Sequence, residues 1–168
     1  VDENLIIVGA PAANADRGTV FVYRINPGGH DGGTQFTLGN ADARFGSLVA
    51  IEGIYAVVAA PGESSSYVCE YTAISNTWPC TALPNQPAGI PRDVQIEEGR
   101  ILVGATGPNN TGLVHVYEQI NNVWTHNATL TSGHLQANEF FGASISASKS
   151  RVAIGAPGRN QPLTNAGA

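Results

Sequence analysis

The chain has 168 residues, 42% of them hydrophobic, which is enough for one domain with a real core and excludes a disordered polymer. Only 12% are charged and the net charge is −5, so the basic surface that nucleic acid or an anionic membrane would require is absent. Twenty Gly and ten Pro break the apolar runs, none of which nears the roughly 20 residues of a membrane helix, and the composition predicts many short strands with no membrane insertion.

Taken in chain order, the first apolar run is Leu5-Ile-Ile-Val8, closed by Gly9-Ala10-Pro11. A second run, Gly18-Thr-Val-Phe-Val-Tyr23, alternates and places Val20 and Val22 on one face and Phe21 and Tyr23 on the other. Then comes Arg44-Phe-Gly-Ser-Leu-Val-Ala-Ile-Glu-Gly-Ile-Tyr-Ala-Val-Val-Ala-Ala-Pro-Gly62, which reads as two strands around a Glu52-Gly53 turn. The phrase returns as 141–158 and, degraded, between Ile90 and Thr106. Gly9, Ala59, Gly104 and Gly155 align at intervals of 50, 45 and 51 residues, the period of a four-stranded propeller blade.

Three further anchors recur. Ser66-Tyr-Val-Cys-Glu-Tyr71 and Gly112-Leu-Val-His-Val-Tyr117 are read as copies of 18–23, with Tyr23, Tyr71 and Tyr117 in register. Trp78 and Trp124 each follow such a Tyr by seven residues, and Leu38, Leu83 and Leu130 end the fourth strands. Strand two of each unit is almost continuously apolar, as in a strand buried on both faces. Turn residues fall between strands one and two at Glu98-Gly99 and Lys149-Ser150, and between strands three and four at Asn121-Asn122. No helix is predicted, because apolar residues never repeat at 3–4 spacing over three turns.

The expected class is all-β, with antiparallel four-stranded blades packed face to face in one domain over 1–168. Its units are 1–44 (lacking a first strand), 45–89, 90–139 and a partial 140–168, about thirteen strands in all. In this alignment Val1 matches Ile51, and Asn165–Ala168 match Ala15–Gly18. Three and a fraction blades cannot close a ring, and open blade faces are costly. The expectation is a sector of a longer chain, in preference to copies that assemble to close the ring.

These phrases resemble the FG-GAP repeat, the blade of integrin α-chain propellers and of many bacterial and protist surface proteins. The carrying residues are Phe45-Gly46 and Phe141-Gly142 for the first half, and Gly9-Ala10-Pro11 and Gly155-Ala156-Pro157 for the second. Ala59-Ala60-Pro61 and Gly104-Ala105-Thr106 are variants, and the strand-three signature is Val20–Tyr23 and Val114–Tyr117. The resemblance implies a propeller, usually seven-bladed, that acts outside the cell in adhesion or ligand binding. A related fungal lectin group uses similar blades for sugars. Integrin-type calcium loops are not carried over, and no cofactor is expected: the links Asp2-Glu3-Asn4, Glu52-Gly53, Glu97-Glu98-Gly99 and Lys149-Ser150 supply too few oxygens. The third unit has Ile90-Pro91 where Phe-Gly should stand, which predicts a distortion there.

Cys69 and Cys80 fall opposite each other across a hairpin centred near Ile74-Ser75, which predicts a disulfide within one blade. His115 and His126 are read as the same positions one blade on. A two-His metal site lacks a third ligand, and a polar pair on the outer hairpin is the preferred reading. Asn109 and Asn127 head Asn-x-Thr sequons. With the disulfide they point to the secretory route and the cell surface or extracellular space.

Loops between strands two and three and between strands four and one share one end of the blades. They are 12–17, 63–65, 107–111, 159–166, 39–44, 84–89 and 131–139. Asn14, Asp16, Arg17, Asp42 and Arg44 concentrate there as candidate ligand contacts, against ordinary turn chemistry as the plainer reading. No nucleophile elbow and no zinc-protease motif occurs, and His30, His115, His126 and His134 are scattered, so no catalytic residue is assigned. Trp78 and Trp124 repeat in position, which favours blade packing over sugar stacking. The expected function is a non-enzymatic adhesion or structural module, with protein partners or further segments or copies of the same chain. The alternative is a carbohydrate-binding propeller with glycan ligands.

Overall fold

The computed structural model describes residues 4–86, 89–133 and 136–159. Fourteen strands account for most of them. The first sheet holds β1 (Leu5–Ala10), β2 (Thr19–Asn26), β3 (Gly29–His30) and β4 (Thr34–Phe36). The second runs β5 (Leu48–Glu52), β6 (Tyr55–Ala60), β7 (Ser65–Glu70), β8 (Cys80–Ala82) in spatial order. The third runs β9 (Pro91–Glu97), β10 (Arg100–Ala105), β11 (Leu113–Ile120), β12 (Val123–Leu130), and a pair follows, β13 (Ser144–Ser148) and β14 (Arg151–Gly155). Every pairing between these strands is antiparallel. The fold is therefore all-β and blade-like. The alignment of the chain ends (Val1 and Asn165–Ala168) and His134 lie outside the described residues.

Strand count exceeds the expected thirteen because the fourth strand of the first sheet breaks in two. Asp31 causes the break: its Oδ1 accepts from the Arg24 and Gly33 amides, which replaces ladder bonds with a local turn. Among the described residues helical structure is confined to single turns. Ala13–Asp16 is one, but Asn14, Ala15 and Asp16 all have positive φ (55°, 56° and 58°), so it is left-handed. The tight turns follow the twist of their strands: Asn121-Asn122 (φ 52° and 63°) and Glu98-Gly99 (φ 49° and 69°) occupy the left-handed region that such hairpins require. One turn sits a residue later than its sequence suggests. Glu52 pairs with Tyr55, so the loop is Gly53-Ile54 and Glu52 ends β5.

Successive sheets pack face to face. In the first seam Val20 and Val22 of β2 meet Ala56 and Val58 of β6, sealed by Phe45 and Trp78. In the second, Val57 and Ala59 meet Val94, Ile101 and Val103. In the third, Leu102 and Val114 meet Ile145. Strand β6 is thus buried on both faces, as its unbroken apolar run demands. Burying Val57 and Val58 alone stabilises by about 3 kcal/mol or more. β1 has the same kind of sequence but not the same burial: Ile6 is 47% and Val8 44% exposed, because no described sheet covers that face.

Register corrects the repeat alignment. Ile6 pairs Tyr23, Ala56 pairs Cys69, and Ile101 pairs Tyr117. Cys69, not Tyr71, therefore occupies the position of Tyr23 and Tyr117. The loop before β7 is shorter than its counterparts, and the doubled aromatics Tyr67 and Tyr71 disguised a two-residue slip.

The Phe-Gly and Gly-Ala-Pro halves of the repeat meet across the seams. A Cβ placed on Gly9 would lie 1.9 Å from the Gly46 carbonyl oxygen, and one on Gly104 would lie 2.1 Å from that of Gly142. Gly18 and Gly112 bridge Phe45 and Phe141 in the same way. The Phe45 amide donates to Arg17 O and the Gly46 amide to Ala59 O, while Phe141 and Gly142 repeat this with Thr111 and Gly155. At the second seam Ser64 stands where the others have Gly18 and Gly112, and Ile90-Pro91 replaces Phe-Gly. Both halves of the contact change together there, and the β9–β10 ladder slips between Gly104 and Ala105.

Candidate functional site

The blades have two ends, and the chain presents different chemistry at each. The end formed by the loops after strands two and four carries the five polar residues singled out by sequence. Asn14 donates from Nδ2 to Thr19 Oγ1 at 2.9 Å, and the Thr19 hydroxyl meets Thr37 Oγ1 at 2.9 Å. Asp16 and Arg17 give backbone carbonyls to the Arg44 and Phe45 amides, so the structure brings Asp16, Arg17 and Arg44 together through the main chain. Asp42 has φ 64° and Arg44 φ 57°, and the Asp42 carbonyl lies against Gly62. The side chains of Asn14, Arg17, Asp42 and Arg44 are exposed.

Two carboxylates that the sequence reading did not single out organise this end. Glu63 Oε1 accepts from the Asn40 amide at 2.6 Å and from Asn40 Nδ2 at 2.9 Å, while Tyr67 donates to Oε2 at 2.7 Å. The Asn40 amide bond, first, and the hydroxyl bond hold the Glu63 carboxyl below the usual range, against a smaller effect of burial. Burial, then Glu63 itself, pushes the Tyr67 phenol up to about 12. Glu139 is fully buried, accepts from Ser132 Oγ at 2.6 Å, and lies 3.4 Å from Arg159 Nε. It takes the place of Ala43 two units earlier, a substitution visible in the aligned sequence.

The opposite end carries the strand one–two turns and the strand three–four hairpins. Carboxylates tie neighbouring turns together here. Glu52 Oε1 accepts from the Glu98 amide at 2.7 Å and Oε2 from the Gly99 amide at 3.1 Å. Glu97 repeats the device on the Lys149 amide at 3.3 Å. A cavity of about 820 Å³ opens beside Glu52 in the first seam. Its apolar wall includes Leu5, Val22, Ile54, Tyr55, Tyr71 and Trp78, and Arg24, Asp31, Asn76 and Glu98 add polar groups. Sequence reasoning placed binding at the other end and missed this one. The readable signal was Leu5 standing where the next unit has Tyr55.

Cys69 and Cys80 form the expected disulfide, directly paired between β7 and β8. The histidines do not copy it. His126 pairs Tyr117, because Tyr117 and not His115 holds the position of Cys69, and a bulge between Val116 and Tyr117 then sets His115 opposite Thr129. The positions equivalent to the cysteines are Tyr117 and His126. The two imidazoles still meet, with centroids 4.5 Å apart, and His126 Nε2 lies 3.1 Å from Thr129 Oγ1. His115 is buried rather than solvent-facing, and its burial, with His126 beside it, pushes its pKa down to about 4. Among the described residues no group of three or more His, Cys, Asp or Glu is placed to hold a metal ion.

Both tryptophans pack between blades. Trp78 stacks on Phe36 at 5.9 Å and donates from Nε1 to Thr34 Oγ1 at 3.1 Å. Trp124 meets Tyr55 edge-on at 5.5 Å. Asn109 and Asn127 are exposed, the second on the outer strand β12 with its Nδ2 donating to Glu118 Oε2 at 2.8 Å.

Residues 124–168 match the model of the FG-GAP repeat family. No curated protein matches the chain. The matched segment contains the Phe141-Gly142 and Gly155-Ala156-Pro157 phrases, and its Phe141 and Gly142 make the seam contacts described above. Residues 124–168 thus carry an FG-GAP repeat, and the blade-like sheets before them are consistent with that family.

Proposed function

We propose that this chain is a sector of an extracellular propeller that works by binding and not by catalysis, as an adhesion or structural assembly module. The observation that carries the reading is the uncovered face of β1. Ile6 and Val8 stand at the positions of Ala56 and Val58 in the second sheet, both 0% exposed, and of Ile101 and Val103 in the third. Two covered copies of this face support another blade as the cover for the third, supplied by more of the same chain or by a further copy. The disulfide and the exposed sequon asparagines support the secretory route. The polar loop end, with Arg17, Asp42 and Arg44 exposed on a rigid frame, is the surface offered to a protein partner.

A carbohydrate site at the loop end would need exposed aromatics beside Asn or Asp for sugar rings to stack on. Among the described residues of those loops none is aromatic, so nothing at that end favours it.

The test uses the natural protein, labelled on intact cells or recovered from the medium, then reduced and weighed before and after removal of N-glycans. The expected result is a surface or secreted species that loses mass with its glycans and remains well above 17.4 kDa. A mass near 17.4 kDa would transfer ring closure to copies of the chain. Recovery only from the cytosol would overturn the extracellular reading.

A further inference from the structure

We propose that the cavity in the first seam is a binding site for a small organic cation: an aromatic or alkyl amine, amidine or guanidine whose apolar body lies against Tyr71 and Leu5. The argument starts from a comparison inside the molecule. In the second seam Tyr55 fills the space over Trp124, and its hydroxyl accepts from Gln119 Nε2 at 3.0 Å. The first seam has the same construction with the plug removed. Trp78 stands for Trp124, Tyr71 for Gln119, and Leu5 for Tyr55. A leucine cannot reach as far as a tyrosine and leaves the space over Trp78 unplugged, where a cavity of about 820 Å³, within the range of small-molecule sites, opens.

The walls specify the ligand. Leu5, Ile54, Tyr71 and Trp78 give an apolar, partly aromatic lining that suits a ring or short alkyl body. Asp31, Glu52 and Glu98 line the cavity with Arg24, and Arg100, outside the lining, reaches Glu98 at 3.7 Å, so three carboxylates stand against two cations. Two of the three carboxylates are held in position by backbone amides: Asp31 by Arg24 and Gly33, Glu52 by Glu98 and Gly99. Amides are neutral, so they fix these carboxylates without cancelling their charge. The lining keeps a net negative charge beside an aromatic wall, and such a cleft attracts cations while its rings add cation–π contact. The site does not depend on the adhesion reading.

The test is a titration of the isotopically labelled chain with benzamidine and with benzamide, a neutral molecule of nearly the same shape, followed by amide NMR shifts. Benzamidine is expected to move Ile54, Tyr71 and Asn76 and to bind at least about tenfold more tightly than benzamide. That preference should shrink as salt screens the carboxylates. Leu5→Tyr, which restores the plug of the second seam, should abolish binding. Ala73→Trp, on the exposed rim, should also block it and does not disturb the core. Asp31→Asn with Glu98→Gln should bring the two probes together. Equal binding of benzamidine and benzamide by the unaltered chain would overturn the proposal, as would undiminished binding by either blocked variant in folded form, or no binding of benzamidine.

Discussion

If the repeat phrase exists to let two backbones touch, Gly9→Ala should damage the first seam specifically. The added Cβ would stand 1.9 Å from the Gly46 carbonyl oxygen and 2.8 Å from its carbon. Both are main-chain atoms, so no side chain can swing aside. Ordinary contact begins near 3.4 Å, and the sheets would have to part by about 1.5 Å, loosening Val20, Val22, Ala56 and Val58 together. Overpacking of this kind costs about 3 kcal/mol. Restricting the unfolded chain by replacing Gly returns about 1 kcal/mol. The expected net loss is about 2 kcal/mol, or a melting temperature lower by roughly 4–8 °C for a chain of this size. Urea unfolding followed by tryptophan fluorescence measures it, since Trp78 sits in the same seam. Gly99→Ala is the control. It has φ +69° with nothing within 4 Å of the added atom, so it carries only backbone strain of about 1 kcal/mol. A Gly9→Ala variant as stable as the wild type, or more stable than the Gly99→Ala control, would refute the steric account of the seam.

Other expectations follow from the same geometry. Reducing the Cys69–Cys80 bridge, or replacing both residues by Ala, should cost about 2–3 kcal/mol for so short a loop; native-state alkylation that labels both thiols in the unreduced protein would contradict the bridge. His115 has a folded pKa of about 4, below its unfolded value of about 6.5, so the unfolded state binds the extra proton between them. Stability from this group is therefore complete above about pH 6.5 and lost as pH falls toward 4, and His115→Gln should flatten that part of a stability–pH curve measured by denaturant unfolding. Glu52→Ala removes the acceptor for the Glu98 and Gly99 amides and should cost about 1–2 kcal/mol, with faster hydrogen exchange at those two amides than anywhere in β10.

Much of the fold could be read from the chain because the repeat is printed several times over. Period, strand order and turn residues all follow from copies that agree with one another, and Cys69 and Cys80 could be paired from their places in a hairpin. Register was harder. A strand gives the same alternation when slid by two residues, so Tyr71 could pass for the partner of Tyr23 and Tyr117 although Cys69 holds that place. The same slip made His115 look like the partner of His126, although Tyr117 holds that place and the two rings still touch. The roles of Glu52, Glu63 and Glu139 were not legible. Glu52 and Glu63 depend on amides brought from distant loops and Glu139 on a hydroxyl of its own loop with Arg159 beyond it, and a carboxylate in a turn looks solvated until its neighbour is known.

The most informative positions are those where the copies disagree. Where Gly9 faces Gly46 and Gly104 faces Gly142, the repeat is intact and the seam is closed by backbone contact. In the second seam three features are exchanged at once: Ala59 for the glycine, Ser64 for Gly18, and Ile90-Pro91 for Phe-Gly. A lone alanine at position 9 would clash with Gly46, yet Ala59 is accommodated at 0% exposure, because the opposing strand has shifted at the Gly104/Ala105 irregularity. The second seam thus substitutes side-chain packing for backbone contact, with Val94, Ile101 and Tyr117 filling what the slip opens. Restoring the glycine there should not restore the other geometry. Ala59→Gly is expected to destabilise by about 1 kcal/mol, through lost apolar area and greater unfolded-chain freedom. A stabilised Ala59→Gly variant would mean that the second seam is a strained copy of the first and not an alternative solution.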